Sequence, residues 1–286
     1  MDKENLRTDR KLFRNGHLSA AARPKKERID KLLVERGLAE SRHKAQALIM
    51  AGLVFSGQEK LAKPGQKIDA LQDIQVKKTM PYVSRGGLKL EEALMAFQVS
   101  VRGKIAADLG ASTGGFTDCL LQRGARWVYA VDVDTSQLDW RLRREPRVRL
   151  IEKNARYLKK SDFEHKIDVV TLDLSFISVL KVLPAIKDFL GRGSLLALLK
   201  PQFEVGRRQV GKGGIVRNPE LHQQVLTLII EAATQLGFSL KGLIKPSVKG
   251  QKGNQEFFVH WTLAKQNWSS QRLAGLIKEV VWNEKN

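Results

Sequence analysis

The sequence predicts an α/β protein in which a doubly wound, mostly parallel sheet follows a small N-terminal α+β domain. A short apolar run from Lys104 leads into a glycine-rich turn and then a helix, which together form the first crossover of such a sheet. Apolar runs then alternate with helical patterns as far as residue 261. Before residue 52, two short amphipathic helices precede turn-rich strands. At 286 residues the chain is long enough for two domains.

The N-terminal domain begins with a pair of helices. The first is expected over 28–37, because apolar residues recur at helical spacing and Gly37 provides a C-terminal stop. The second is expected over 42–51, with Ser41 as its N-cap. A bound phosphate would explain why the first turn of this helix carries cations, which the helix dipole disfavours there. These cations are Arg42, His43 and Lys44.

The stretch from residue 28, RIDKLLVERGLAESRHKAQALIMAGLVFSGQ, followed by KPGQKI and DIQV, resembles the S4 RNA-binding domain over nearly its full length. The resemblance implies that the basic face of the helix pair contacts RNA phosphates. We assign the S4-like domain to 25–78 and a linker to 79–84, where Pro81 blocks helix continuation. The basic residues 1–24 are either an arm that adds phosphate contacts or a tail without function. The expected phosphate contacts of the domain are Arg28, Arg36, Arg42, His43 and Lys44.

The composition restricts the class of protein and its partners. Lys and Arg number 50 against 30 Asp and Glu, a net charge of +20, which favours a polyanionic partner, most commonly RNA, over a merely solubilising surface. The single cysteine excludes an intrachain disulfide, and the five histidines show no metal-ligand spacing, so we expect no metal. No apolar run approaches the ~20 residues of a membrane span, and no secretory signal is visible, which predicts a cytoplasmic protein.

The glycine-rich turn of the second domain has the sequence DLGASTGGFTD over 108–118, and its glycines allow backbone to approach a ligand closely. It lacks the spacing of the dinucleotide-binding motif, and acidic residues at both ends, Asp108 and Asp118, would repel a pyrophosphate. They suit a ligand with positive charge, such as the ammonium and sulfonium of S-adenosylmethionine. The alternative for the glycines alone is an ordinary βα turn.

Two later residues favour a ligand that contains adenosine. Asp132 ends the next predicted strand, where its carboxylate would accept hydrogen bonds from ribose hydroxyls. Asn154 follows the third strand, at the usual position of an adenine edge. The predicted cofactor-binding residues are therefore Asp108, Gly110, Ser112, Gly114, Gly115, Asp132 and Asn154.

Hydrophobic patterning predicts the remaining elements of the second domain. Strands are expected at 127–134, 148–152, 168–173, 194–200 and 257–261. Helices are expected at 89–97, 119–124, 138–144, 176–189 and 219–235, with one amphipathic helix after residue 263. Four charged residues at the ends of these elements, each interpretable singly as a surface charge, share the rim of the glycine turn: Lys89, Asp173, Lys200 and Glu256.

The segments SRGGLKL, DLGASTGGFTD, YAVDV, TLDLSFIS and LLKPQFEVGR together resemble the hemolysin A (TlyA) family, which joins an S4 domain to an FtsJ-like methyltransferase domain of the Rossmann-like class I fold. By this resemblance we assign the methyltransferase domain to 85–265 and a helical tail to 266–286. The family implies S-adenosylmethionine-dependent methylation of a ribose 2′-hydroxyl, on cytidine, in ribosomal RNA or ribosomal subunits. No metal is required, because no phosphate leaves, and the protein is assumed to be a monomer. Its Lys-Asp-Lys-Glu tetrad falls on Lys89, Asp173, Lys200 and Glu256.

The residue types of the tetrad suit that chemistry, because a ribose hydroxyl is a poor nucleophile until its proton is removed or polarised. We expect Lys200 to act on the hydroxyl and Asp173 to orient Lys200, while Lys89 and Glu256 position the ribose. Lys200 must then be uncharged for part of the cycle, since an ammonium accepts no proton. Expected target-RNA contacts, of which the last four have a solvated loop as the alternative, are Arg85, Arg207, Arg208, Lys212 and Arg217.

Two other functions compete with the enzyme. In the first, S4 and a degenerate Rossmann domain bind RNA during ribosome assembly without turnover. The intact glycines and all four tetrad residues argue against it, because RNA binding alone requires none of them. The second is the membrane-lytic activity suggested by the family name, for which residues 269–281 are only a modest amphipathic candidate.

Overall fold

The computed structural model describes residues 26–77, 80–206, 209–264 and 268–283. These residues form two units, of which the first ends at Thr79 and the second begins at Met80. The predictions for residues 1–24, Arg207 and Arg208 lie outside the described residues. No helix within the described segments is both long enough and apolar enough to cross a bilayer.

The N-terminal unit is a small α+β domain, as predicted. Its core joins apolar residues of both helices to those of the strands and turns. Ser41 caps the second helix as expected, since its Oγ accepts the Lys44 N–H at 3.2 Å. The elements are β1 (Lys26–Arg28), α1 (Ile29–Glu35), α2 (Arg42–Met50), β2 (Val54–Ser56), β3 (Glu59–Lys60), β4 (Lys67–Asp69) and β5 (Gln75–Val76). Strand β1 pairs with β4, and β2 lies between β3 and β5, all antiparallel.

The described part of the second unit contains a seven-stranded sheet. Its strands are β6 (Ile105–Leu109), β7 (Trp127–Asp132), β8 (Val148–Glu152), β9 (Val169–Leu172), β10 (Ser194–Leu199), β11 (Ser239–Ile244) and β12 (Phe257–Thr262). Their order is β11-β12-β10-β9-β6-β7-β8, with only β12 antiparallel to its neighbours. The strand order reverses between β6 and β9, and ligands bind at the carboxyl ends of strands beside such a switch point. The predicted doubly wound sheet is therefore confirmed.

Helices cover both faces of this sheet. The elements are α3 (Arg85–Ala96), α4 (Gly115–Gln122), α5 (Trp140–Arg143), α6 (Leu183–Leu190), α7 (Pro201–Glu204), α8 (Pro219–Gln235) and α9 (Ser270–Trp282). Helices α3, α4 and α5 bury apolar residues on one face, and α6, α8 and α9 bury theirs on the other. The C-terminal helix belongs to this core, because Ile277 is fully buried and Val281 nearly so.

Several sequence-based predictions for the second unit differ from the structure. The helix expected over 119–124 is α4, which begins four residues earlier, at Gly115. The helix expected over 176–189 is only α6 with a preceding 3-10 turn, Val179–Lys181, because the Ser178 side chain caps that turn and Pro184 fits only the start of α6. The helix expected over 138–144 is the shorter α5. Strand β11 was missed, since Gly242 and a bulge after Leu240 interrupt its apolar pattern.

The segment assigned to the linker is partly built into the second unit. Tyr82 is buried, and its ring lies so close to Gly87 that a Cβ there would sit 2.3 Å away. The Val83 N–H donates to Asp118 Oδ2 at 2.9 Å. Helix α3 consequently begins at Arg85, four residues before its predicted start.

Candidate active site

The glycine-rich turn connects β6 to α4 at the switch point of the sheet. Gly110 has a φ of +85°, and a Cβ at this position would lie 2.5 Å from the carbonyl oxygen of Asp173. A Cβ on Gly115 would lie 2.1 Å from Ser84 Oγ, at the start of α3. Only glycine satisfies both packing constraints. The turn is therefore pressed against the segments that carry two members of the predicted tetrad.

All four tetrad residues line one cavity of about 330 Å³ beside this turn. Lys89 comes from α3, Asp173 follows β9, Lys200 follows β10, and Glu256 precedes β12. The parallel sheet brings the ends of β9 and β10 together, and β12 enters from the same edge because it runs antiparallel. The cavity is also lined by Arg85, Gly110, Ser112, Gly115, Ser175 and Phe203.

The tetrad consists of two ion pairs. Lys89 Nζ lies 2.6 Å from Glu256 Oε2, and these residues are 8% and 3% exposed, so this pair is almost fully buried in the cavity wall. Lys200 Nζ lies 2.6 Å from Asp173 Oδ1, in a contact that is not aligned as a hydrogen bond. Lys200 also donates to Ser175 Oγ at 3.2 Å. The second pair is only partly buried, which leaves it accessible to a ligand in the cavity.

The two acidic ends of the turn do not serve the role expected of them. Asp108 is fully buried, and its carboxylate accepts hydrogen bonds from the hydroxyls of Thr117 at 2.7 Å and Thr171 at 2.9 Å. Burial raises the pKa of Asp108 to about 7. Asp118 accepts from Val83 N–H and from Gln122 Nε2 instead of facing a ligand. Both carboxylates thus hold the scaffold of the turn, which corrects the prediction that they select the ligand's charge.

The other predicted cofactor residues divide into those in the cavity wall and those outside it. Gly110, Ser112 and Gly115 line the cavity. Asp132 adjoins it, because its Oδ2 accepts the Ser112 N–H at 2.9 Å.

Gly114 and Asn154 are not among the residues that form the wall. A Cβ on Gly114 would point at Leu142 and Leu138, so this glycine faces the core. Asn154 is exposed and caps a 3-10 turn, with Oδ1 accepting the Arg156 N–H at 3.0 Å.

An aromatic pair at the cavity was not anticipated from the sequence. Phe176 is 90% exposed and has a φ of +64°, a conformation that side chains with a Cβ rarely adopt. Its ring centroid lies 4.9 Å from that of Phe203, which lines the cavity. The helical spacing of 176–189 concealed this role, since it assigned Phe176 to a helix. Phe176 lies four residues after the end of β9, and its exposure and backbone conformation are not visible in the sequence.

The predicted RNA contacts of the second unit occupy two places. Arg85 is exposed in the first turn of α3 and lines the cavity. Lys212 and Arg217 are exposed on the loop between α7 and α8, which is closed by a bridge between Gly211 and Ile215.

The predicted RNA contacts of the first unit share an organising residue. Asp30 is fully buried, and its carboxylate binds both Arg28 and Arg42, at 2.9 and 3.1 Å. These arginines hold the pKa of Asp30 far below its usual value. The side chains of both arginines remain about half exposed, at 42% and 58%.

The remaining three predicted contacts differ. Arg36 is exposed and donates to the carbonyls of Gln72 and Ala70 at 2.7 and 2.6 Å. We infer that these contacts are its main role, while the predicted phosphate contact itself is not tested by the structure. His43 and Lys44 are exposed on the first turn of α2.

Known proteins share this combination of domains. A family model for the FtsJ-like methyltransferase matches residues 82–263, and one for the S4 domain matches residues 27–74. YqxC of Bacillus subtilis (strain 168), named as an rRNA methyltransferase, is 52% identical over 240 residues, which cover 82% of this chain and 85% of YqxC.

Two further similarities extend over most of the chain. The 16S/23S rRNA (cytidine-2′-O)-methyltransferase TlyA of Mycobacterium tuberculosis (strain ATCC 25618 / H37Rv) is 42% identical over 82% of this chain and 89% of its own. A solved structure from Streptococcus thermophilus that carries the name hemolysin has 45% identity and a TM-score of 0.68, covering 90% of this chain and 95% of that one. With its S4 domain and its methyltransferase domain, the chain belongs to the hemolysin A/TlyA family of FtsJ-like methyltransferases.

Proposed function

We propose that this protein transfers a methyl group from S-adenosylmethionine to the ribose 2′-hydroxyl of a cytidine in ribosomal RNA. The observation that carries the proposal is the convergence of Lys89, Asp173, Lys200 and Glu256 on one cavity at the switch point of the sheet. The substrate class follows the relatives named as rRNA (cytidine-2′-O)-methyltransferases. An enzyme with this substrate works in the cytoplasm, where ribosomes are.

The cavity suits S-adenosylmethionine in size and in lining. Its volume of about 330 Å³ lies within the usual range of small-molecule sites. The close approach of the turn at Gly110 and Gly115 presents backbone to the cavity, and the Ser112–Asp132 contact sets a carboxylate beside it for ribose hydroxyls. When bound, the cofactor supplies an electrophilic methyl group on a sulfonium. We assign its adenosine end to the Asp132 side and, less directly, to Asn154.

Lys200 is the residue that we assign to the target hydroxyl. An ammonium accepts no proton, so Lys200 must first release one to solvent. Its neutral Nζ would then take the hydroxyl proton as the ribose oxygen receives the methyl group, which the cofactor would supply with its thioether as the leaving group. Asp173, 2.6 Å from that nitrogen, stabilises the ammonium that forms. Ser175 Oγ fixes the direction of the lysine side chain.

The Lys89–Glu256 pair has the second role, which is to hold the ribose. The pair is surrounded by protein except where it lines the cavity. Its polar atoms can therefore reach the remaining sugar oxygens only from the cavity. A protein that only bound RNA would have no need for this buried pair. Its cost in desolvation therefore supports turnover over passive binding.

Methyl transfer to purified ribosomal subunits tests the proposal. With methyl-labelled S-adenosylmethionine, label is expected on a ribose of the rRNA, located by mass spectrometry of nuclease digests. Ribosomes from cells with and without the gene should differ at the same nucleotide. Label on a base, or no label on RNA, would contradict the proposed function.

The exposed ring of Phe176, which contacts Phe203 of the cavity wall, yields a prediction about RNA. Enzymes that modify nucleotides stack the unpaired base on aromatic side chains, and each such contact contributes about 1–3 kcal/mol. Phe176→Ala is therefore expected to lower kcat/KM for RNA about 5- to 150-fold. The Kd of S-adenosylmethionine should not change, and Phe176→Tyr should retain activity. Loss of cofactor binding in Phe176→Ala would show that the ring serves the fold instead.

The first unit yields a matched pair of variants. Arg42→Gln is expected to weaken RNA binding and to reduce the slope of log K against log salt by about 1, because it removes one phosphate contact. Arg36→Gln should leave that slope unchanged and lower the stability of the S4 unit, since its guanidinium binds two carbonyls. Equal salt slopes for both variants would contradict this division. The measurements are RNA titrations at several salt concentrations and thermal unfolding.

A further inference from the structure

We propose that Asn254 is a positioning residue that couples the loop of residues 209–217 to Glu256. RNA bound by this loop would thereby fix the position of the Glu256 carboxylate in the active site. The residue is 4% exposed and lies two positions before Glu256. The inference rests on the proposed function, because it assigns the loop to the RNA substrate of the same site.

The loop of residues 209–217 is held together by its own hydrogen bonds and exposes basic side chains to solvent. Gly211 N–H donates to the carbonyl of Ile215, and Gly214 N–H donates to the carbonyl of Gly211, both at 3.1 Å. Lys212 and Arg217 are exposed on this loop. A short turn closed by its own hydrogen bonds moves as one body, so a phosphate bound by its cations acts on the whole loop.

The side-chain amide of Asn254 forms hydrogen bonds with this loop through both its oxygen and its nitrogen. Its Oδ1 accepts the Val216 N–H at 3.1 Å, and its Nδ2 donates to the Gly214 carbonyl at 3.0 Å. The carbonyl oxygen of Val216 in turn lies 3.0 Å from His222 Nε2. Val216 is buried, so its peptide groups are held from two directions where the loop enters the protein.

The same asparagine belongs to the turn that encloses Glu256. The Gly250 N–H donates to the Asn254 carbonyl at 2.9 Å, which closes residues 250–254 into a turn. A Cβ on Gly250 would lie 2.0 Å from Glu256 Oε1, so this turn is in direct contact with the carboxylate. Any movement of the turn consequently moves the carboxylate that binds Lys89.

The segment that leads into this turn is fixed on α3. Ser247 donates to Glu92 through both its N–H and its hydroxyl, at 2.9 and 2.8 Å. Glu92 follows Lys89 by three residues in α3, so the two side chains lie on the same side of the helix. The segment before the turn is thus anchored to α3, and Asn254 links the turn itself to the loop of residues 209–217. Hydrogen bonds and packing contacts therefore connect this loop, through Asn254 and the turn at Gly250, to Glu256 and Lys89.

The consequence is a dependence of turnover on RNA contact at a distance from the reacting atoms. Displacements of about 1 Å in a positioned group cost up to about 100-fold in rate. Asn254→Ala is expected to lower kcat for rRNA methylation about 10- to 100-fold, with the Kd values of S-adenosylmethionine and RNA unchanged. The matched control is Asn218→Ala, which removes a side-chain cap from α8 at the end of the same loop. It should lower the melting temperature without lowering kcat.

A double-mutant cycle separates coupling from a purely structural role. In the parent, Lys212→Ala should raise KM for RNA and lower kcat; in the Asn254→Ala background it should raise KM only. Additive effects on kcat, or parental kcat in Asn254→Ala, would overturn the proposal. Should Asn254→Ala fail to fold, Asn254→Ser carries the same test through its smaller hydrogen-bonding group. Absence of ribose methylation by the parent enzyme would instead count against the proposed function, so the two failures are distinguishable.

Discussion

Replacing Lys200 with methionine is expected to lower the rate of ribose methylation about 10²- to 10⁴-fold, the usual contribution of a positioned proton acceptor. Methionine retains the length of the side chain and removes the nitrogen that lies 2.6 Å from Asp173 and 3.2 Å from Ser175 Oγ. The measurement is a single-turnover rate on ribosomal subunits, with cofactor affinity determined separately. A rate within a few-fold of the parent would remove Lys200 from the mechanism.

Lys200→Arg distinguishes the two roles that a lysine could play here. Arginine keeps the positive charge beside Asp173, yet it does not release its proton in proteins. If Lys200 accepts the hydroxyl proton, the arginine variant is as slow as the methionine variant. If the positive charge alone is needed, Lys200→Arg retains much of the parental rate. Ser175→Ala, which removes only the hydroxyl that receives a hydrogen bond from Lys200, should have a smaller effect than either.

Much of the site was predictable because parallel strands end at a common edge. Asp173 and Lys200 each follow an apolar run, so the sheet alone brings them together. The convergence of the four charges is therefore a consequence of order along the chain and of topology. The sequence did not predict that Lys89 and Glu256 form a buried ion pair while Lys200 and Asp173 form a partly exposed one. Burial depends on how α3 and β12 pack.

The failures of sequence reasoning have a common physical cause. Asp108 and Asp118 flank the glycine turn in sequence, but the direction of a side chain at an element boundary depends on its neighbours. Asp108 lies within the central strand β6, where both faces are covered, so its carboxylate meets Thr117 and Thr171 instead of a ligand. Phe176 precedes a periodic apolar pattern that predicted a helix, whereas its backbone has a positive φ of 64° that no sequence pattern indicates.

The buried pair of the tetrad allows stability and catalysis to be measured apart. Lys89→Met leaves Glu256, only 3% exposed, as an unpaired buried acid, and is expected to destabilise the second unit by about 3–5 kcal/mol. Glu256→Leu should cost a similar amount, because Lys89 then lacks its partner. The measurement is urea unfolding of the full chain, followed by a signal from the second unit, since two units need not unfold together.

The double variant Lys89→Met, Glu256→Leu is expected to recover most of the stability that either single change removes. Apolar side chains of similar volume replace a buried ion pair with little cost, because neither charge then has to be desolvated. Ribose methylation should nevertheless remain abolished in the double variant, since no polar group faces the sugar from that side of the cavity. A double variant as unstable as the singles would mean that the pair is required by the fold itself. Recovery of stability without activity would mean that the fold can dispense with these charges and that catalysis is what requires them.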